Sequence, residues 1–80
     1  MPNGLRNWTY RHLTAFLKER GFVLEREKIG SHELWFKREA GEDYTVNVNW
    51  TTGSYPQRTL ETMIRQSGID KRVWRNWQGK

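Results

Sequence analysis

The sequence of 80 residues has no cysteine, only two histidines and no long apolar run. The absence of cysteine excludes disulfide bonds and cysteine-ligated zinc sites, and the spacing of the two histidines matches no metal-binding motif. No segment resembles a membrane span or the apolar core of a signal peptide. We therefore expect a cytoplasmic protein that uses no metal ion, no cofactor and no membrane.

Apolar side chains are also scarce, at 35% of the residues. So short a chain with so few apolar residues has little scope for an enclosed pocket, and its working surface should be a face or a shallow groove. We find no internal repeat, low-complexity tract or linker. The sequence predicts one domain over residues 1–80, with a core at about 8–69 and a basic, tryptophan-containing extension at 70–80.

Acidic residues are outnumbered, with 9 Asp and Glu against 14 Lys and Arg, so the net charge is +5. Residues 56–80 hold six of the basic side chains and two acidic ones, whereas the first 55 residues are nearly balanced. A basic surface on a small domain indicates an anionic partner such as a nucleic acid, although it is also compatible with an ordinary solvated face.

Two segments have apolar residues at helical spacing. The first can be capped by Asn7 or Thr9 and ended by Gly21, which predicts a helix of about three turns. The second begins with Pro56, which is tolerated in the first turn of a helix, and is ended by Gly68. The apolar stripes comprise Tyr10, Leu13, Phe16 and Leu17 in the first helix, and Leu60, Met63, Ile64 and Ser67 in the second. His12 lies off its stripe, and we interpret it as a surface histidine.

Three short segments between the helices, "FVLEREK", "HELWFKR" and "YTVNVNW", have the composition of strands. The third alternates clearly and predicts a buried face of Tyr44, Val46, Val48 and Trp50. Gly41 and Asp43, between the second and third strands, suit a tight antiparallel hairpin.

Burying both helical stripes and one sheet face requires the two helices to lie on the same side of the sheet. The predicted architecture is an α+β fold in the order α-β-β-β-α, with a three-stranded antiparallel sheet. The expected open face carries Glu25, Glu27, Glu33, Trp35, Lys37, Thr45, Asn47 and Asn49. On that face Trp35 is either a partner contact or a shielded edge residue.

The C-terminal segment "IDKRVWRNWQGK" mixes cationic and aromatic residues. Such mixing is typical of nucleic-acid contacts, in which cations meet phosphates and aromatic rings stack on unpaired bases. Trp74 and Trp77 are also at helical spacing, so the alternative is a short third helix that packs its tryptophans on the core.

Gly30, Ser31 and His32 form a short motif at the start of the second predicted strand. Gly30 permits a tight turn, and the Ser31 hydroxyl and backbone N–H groups could bind a phosphate oxygen or orient His32. His32 shares its strand phase with Leu34 and Phe36, so a partly buried histidine at the rim of the core competes with a reactive one.

The stretch "GFVLEREKIGSHELWF" followed by "TLETMIRQSGI" resembles the HicA family of toxins from type II toxin-antitoxin systems. The matching residues run from about Tyr10 to Ile69, and the order and spacing of the short motifs carry the resemblance. They are Gly21-Phe22, Gly30-Ser31-His32, Thr59-Leu60, Ile64 and Gly68-Ile69.

The resemblance implies a double-stranded-RNA-binding-domain-like fold and an endoribonuclease that cleaves mRNA and is neutralised by a HicB-type antitoxin. It also implies that His32 is the catalytic residue. Lys28, Lys37 and Arg58 are candidates for contacts with the RNA phosphate, together with Gly30 and Ser31. Two alternatives remain open: a non-catalytic RNA-binding module, and an inactive homologue that only binds an antitoxin.

Overall fold

A computed structural model describes residues 4–27, 30–51 and 53–77 of the chain, except for the side chains of Arg26 and Glu27. The elements follow one another in the order α1 (Tyr10–Glu19), β1 (Val23–Glu27), β2 (His32–Glu39), β3 (Glu42–Asn49), α2 (Gln57–Ser67) and α3 (Lys71–Arg75). The predicted α-β-β-β-α layout is confirmed, and α3 follows it.

Helix α1 begins and ends where its sequence signals lie. Thr9 is the N-cap and forms a capping box with His12, whose imidazole takes the position that Glu or Gln usually fills. The helix ends as Gly21 adopts a left-handed φ of +93°. The N–H of Phe22 then donates to the carbonyl of Leu17 at 2.9 Å. This bond satisfies a helix-end carbonyl and turns the chain into β1.

The sheet is antiparallel in the order β1-β2-β3, so β2 is central. Strands β2 and β3 pair from His32↔Asn49 to Glu39↔Glu42, with no irregularity between. The connecting residues Ala40 and Gly41 both have positive φ, +54° and +81°. This is the geometry of a two-residue hairpin turn, and it confirms the predicted hairpin.

The predicted faces of β2 are reversed in the structure. Trp35 and Glu33 are buried against the helices, at 3% and 7% exposure, while His32, Leu34 and Phe36 lie on the open face. The register explains this, because directly paired residues share a face and Trp35 pairs with the fully buried Val46. The predictions that Glu33, Trp35 and Lys37 face outward and that His32 faces the core rim are therefore wrong.

Other parts of the predicted open face agree with the structure. Thr45 and Asn47 are exposed, Asn49 is half-buried, and Glu25 is exposed at the β1 irregularity between Leu24 and Arg26. The side chain of Glu27 lies outside the described part of the chain.

Trp50 is not in the core, although the alternation of β3 predicts that it is buried. Strand β3 ends at Asn49, and the next residue, Trp50, is 47% exposed. The alternation therefore predicts burial correctly at Val46 and Val48, but it stops applying where the strand ends.

Helix α2 covers the sheet beside β3 and buries Leu60, Met63, Ile64 and Ser67, as its spacing predicts. It ends at Gly68 in a left-handed conformation, φ +72°. Gly68 lies against the ring of Tyr44 near the start of β3, and the hydroxyl of Tyr55, just before α2, donates to the carbonyl of Asn49 at 2.7 Å. Helix α2 therefore runs antiparallel to β3.

The C-terminal tryptophans belong to an aromatic cluster formed by Trp8, Phe16, Trp74 and Trp77. Trp74 is fully buried, and its ring centroid lies 4.3 Å from that of Phe16. Trp77 stacks on Trp8 at 5.3 Å, and its indole N–H donates to the Glu19 carboxylate. The alternative of a third helix packed on the core is the one observed, and the core extends beyond residue 69 to Trp74.

Within the described part of the chain, none of the helices has both the length and the apolar character needed to cross a membrane.

Candidate active site

The Gly30-Ser31-His32 motif lies at the end of the sheet where the chain enters β2. Gly30 has a φ of +85°, a left-handed conformation that favours glycine. The carbonyl of Ser31 accepts a hydrogen bond from the N–H of Trp50 at 2.9 Å, which extends the β2–β3 ladder by one pair. The motif is thus fixed to the end of β3, with His32 as the first residue of β2.

The His32 imidazole lies on the open face of the sheet and is half-buried. Its Nδ1 is 3.1 Å from the side-chain oxygen of Asn47, which is two residues along β3 from its directly paired residue, Asn49. A histidine in this position has one ring nitrogen engaged and remains open to solvent. The ring is therefore available to a ligand on the open face.

Hydrogen bonds around Asn49, the last residue of β3, fix the backbone that follows the strand. The side-chain oxygen of Asn49 accepts from the N–H of Thr51 at 2.9 Å and from its hydroxyl at 2.8 Å. Burial, with added contributions from Tyr10 and Glu33, raises the pKa of Tyr55 to about 12. Tyr55 therefore remains a protonated donor to the Asn49 carbonyl at neutral pH and is unsuited to proton transfer.

Glu33, next to His32 in sequence, points to the opposite side of the sheet. Its Oε1 accepts hydrogen bonds from the hydroxyl of Tyr10 at 2.9 Å and from the indole N–H of Trp35 at 3.1 Å. This carboxylate therefore satisfies two donors on the helix-covered face. It is a structural group and does not pair with His32.

The three predicted cations are placed very differently relative to His32. Lys37 lies on the helix-covered face, five residues along β2 and so about 16 Å away, with its Nζ 2.9 Å from Glu39. Arg58 is exposed in the first turn of α2, which packs on the covered face of the sheet. It lies at the same end of the sheet as His32, because Tyr55, just before α2, bonds to Asn49, the residue paired with His32. Lys28 lies outside the described residues. The structure thus brings Arg58, but not Lys37, toward the histidine's end of the fold.

The basic C-terminal part is partly neutralised within the molecule. Lys71 lies 3.3 Å from Glu61, and Arg72 lies 3.3 Å from Asp70. The hydrogen bond from Lys71 lowers the pKa of Glu61, and the backbone N–H of Arg72, followed by its guanidinium, lowers the pKa of Asp70. Two of the six cations in residues 56–80 therefore have acidic neighbours.

Sequence reasoning missed two residues near the motif, Asn47 and Trp50. Asn47 was placed on the open face, but its contact with His32 depends on the strand register, which only the structure gives. The alternation of β3 predicts Trp50 in the core, whereas its indole is exposed. The backbone N–H of the same residue donates to the carbonyl of Ser31, so Trp50 lies beside the motif. An exposed tryptophan among polar residues at the end of a strand indicates a contact surface.

His12, the second histidine, has a structural role at the start of α1. Its Nδ1 accepts from the N–H of Thr9 at 3.3 Å. Burial lowers the pKa of His12, and the charge of Arg11 adds to this effect. The neutral ring is therefore favoured, as the cap requires.

No group of three His, Cys, Asp or Glu side chains is placed to hold a metal ion within residues 4–27, 30–51 and 53–77. Comparison of the chain with protein-family models, curated proteins and solved structures returned no match. The functional argument therefore depends on the geometry around His32 and on the short motifs that frame it.

Proposed function

We propose that the protein is the toxin of a toxin-antitoxin system: a cytoplasmic, metal-independent endoribonuclease that cleaves mRNA and is neutralised by a HicB-type antitoxin. The observation that carries the proposal is the position of His32. It follows the Gly-Ser turn at an open end of the sheet, with its ring half-exposed and one ring nitrogen hydrogen-bonded.

RNA supplies its own nucleophile, so the demands on the protein are small. The 2′-hydroxyl attacks the neighbouring phosphorus as its proton is taken up, and the bond from phosphorus to the 5′ oxygen breaks as that oxygen is protonated. A histidine is suited to both proton transfers because its ordinary pKa, near 6.5, lies close to neutrality. General acid-base assistance of this kind contributes about 10²- to 10⁴-fold to the rate.

The remaining contacts in the proposal come from the same end of the fold. Gly30 and Ser31 offer backbone N–H groups and a hydroxyl to a phosphate oxygen. Arg58, exposed in the first turn of α2, supplies a positive charge against the developing phosphorane. Lys37 is left out, because it lies about 16 Å from His32 along β2 and its ammonium is paired with Glu39.

The test compares the two histidines through the same substitution. Purified wild-type protein, His32→Gln and His12→Gln are incubated with a single-stranded mRNA fragment in EDTA. His12→Gln is the matched control, because Gln is a regular capping-box residue at that helix position. We expect cleavage by the wild type and by His12→Gln, and a rate lowered about 10²- to 10⁴-fold in His32→Gln.

Other outcomes separate the alternatives. RNA binding of equal strength by all three proteins with no cleavage would indicate a non-catalytic RNA-binding module. Neither binding nor cleavage, together with a tight complex with the product of an adjacent antitoxin-like gene, would indicate an inactive antitoxin-binding homologue. Cleavage that persists in His32→Gln, or that EDTA abolishes, would contradict the assignment of His32 or of a metal-independent reaction.

A further inference from the structure

The side chain of Asn47 contacts one of the two ring nitrogens of His32, so it bears on which nitrogen carries the proton. We propose that Asn47 is a positioning residue that holds the neutral His32 imidazole with its proton on Nδ1, so that Nε2 carries the free lone pair. The catalytic part of this inference rests on the proposed ribonuclease function, whereas the proton position does not.

The contact between Asn47 and His32 involves one oxygen and one ring nitrogen. The Asn47 side-chain oxygen lies 3.1 Å from Nδ1 of His32, within hydrogen-bond distance. An amide oxygen can only accept a hydrogen bond, so Nδ1 must be the donor. In a neutral imidazole only one nitrogen carries a proton. The other nitrogen, Nε2, is therefore an acceptor.

Asn47 is suited to this role because the strand around it is held on both sides. Its neighbours Val46 and Val48 pair with Trp35 and Glu33 of the central strand β2. At the outer edge of β3, the N–H of Asn47 donates to the Gln66 side-chain oxygen at 3.1 Å, which ties the strand to α2. The amide that meets His32 thus projects from a strand held by both the central strand and a helix. A ring oriented from such a support loses little freedom when a substrate binds.

The arrangement decides how the ring would act on RNA. Nε2 takes the proton of the 2′-hydroxyl as the oxygen attacks phosphorus, and the ring becomes an imidazolium that still donates from Nδ1 to Asn47. The proton on Nε2 then passes to the departing 5′ oxygen, and the ring returns to its starting form. The opposite tautomer would present an N–H to the hydroxyl and could not begin the sequence.

The proton position can be read without any activity measurement. In ¹⁵N-labelled protein, long-range proton–nitrogen correlations of the His32 ring show which nitrogen is protonated once the ring is neutral. We expect Nδ1–H in the wild type. Asn47→Ala should revert to mostly Nε2–H, the form that predominates in free histidine, whereas Asn47→Asp, which keeps an acceptor oxygen, should retain Nδ1–H.

Thr45→Ala is the matched control. Thr45 is exposed on the same face of β3 and pairs with Phe36, so its loss perturbs the strand without touching His32. We expect it to retain Nδ1–H. Wild-type protein with the proton on Nε2 would overturn the inference. That measurement needs no variant, so it decides the matter even if Asn47→Ala fails to fold.

The catalytic consequence is measured separately. Loss of a residue that orients a metal-bound histidine typically costs about 10- to 100-fold. We expect the same scale for His32, so Asn47→Ala should lower kcat in that range with little change in KM. Asn47→Asp should recover part of the loss. Unchanged kcat in Asn47→Ala would overturn the positioning role in catalysis. A Nδ1–H ring in a protein that cleaves no RNA would support the geometry and contradict only the proposed function.

Discussion

Gly68 provides a direct test of how α2 is joined to the sheet. It ends α2 with φ at +72°, and a Cβ atom built on it would lie within 3 Å of ring atoms of Tyr44, including 2.9 Å from Cζ. Gly41, in the β2–β3 turn, has a similar φ of +81° but nothing within 4 Å of the same built atom. Gly68→Ala and Gly41→Ala therefore share the backbone strain and differ in the steric clash.

The magnitudes follow from these two effects. A left-handed conformation costs a residue with a Cβ atom roughly 1–2 kcal/mol, which is the whole effect expected for Gly41→Ala. Forcing one more carbon into a packed site costs about 1–3 kcal/mol in addition. Gly68→Ala should therefore lower the free energy of unfolding by about 2–5 kcal/mol, a large part of the roughly 4–12 kcal/mol expected for a domain of this size.

The assay is equilibrium unfolding in urea of wild type, both single variants, Tyr44→Ala and the double variant Gly68→Ala/Tyr44→Ala. Removing the ring should relieve the clash, so the two substitutions should couple favourably by about 1–3 kcal/mol. Equal losses in Gly68→Ala and Gly41→Ala, together with additive behaviour in the double variant, would refute the packing of Gly68 against Tyr44.

Three further predictions concern the core and the first helix. Glu33→Leu should lower the free energy of unfolding by about 2–4 kcal/mol, because the Tyr10 hydroxyl and the Trp35 indole lose their acceptor. Glu33→Gln keeps an acceptor oxygen and should cost much less, and urea unfolding of both variants checks this. Trp74→Ala should cost about 3–5 kcal/mol. Trp74→Phe should cost far less in the same assay, because it also removes a buried indole N–H that has no hydrogen-bond partner. The pKa of His12 is lower in the folded protein, so its stabilising contribution is present above the unfolded pKa near 6.5 and is lost as pH falls through the folded value. Thermal melting at pH 7 and pH 5 should show a larger loss for wild type than for His12→Gln.

The sequence predicted the elements well where a single pattern was present. Helix α1 has one apolar stripe, a cap at Thr9 and a glycine at its end, and the structure follows all three. The prediction of the buried face of β2 was wrong because Leu34, Trp35 and Phe36 are consecutive and apolar, so alternation does not select a face. Two interactions place Trp35 on the covered face: its pairing with Val46 and the hydrogen bond from its indole N–H to Glu33. Neither can be read from the sequence.

The candidate site shows the same division between local and long-range information. The turn at Gly30 and the position of His32 at the start of β2 could be predicted from neighbouring residues. The partner of His32 could not, because Asn47 is fifteen residues away and meets the ring through strand register. His32 and Lys37 lie on opposite faces because they are an odd number of residues apart on β2, and strand alternation alone predicts this. Register decides only which of the two lies on the open face.

The aromatic cluster sets a condition on when this protein can acquire its structure during synthesis. Trp8 and Phe16 are made early, but they pack on Trp74, near the other end of the described chain. A nascent chain still lacking Trp74 leaves these early rings without their partner, so the core closes only after α3 has emerged from the ribosome. A product that stops short of α3 should therefore be a substrate for cellular proteases rather than a folded domain.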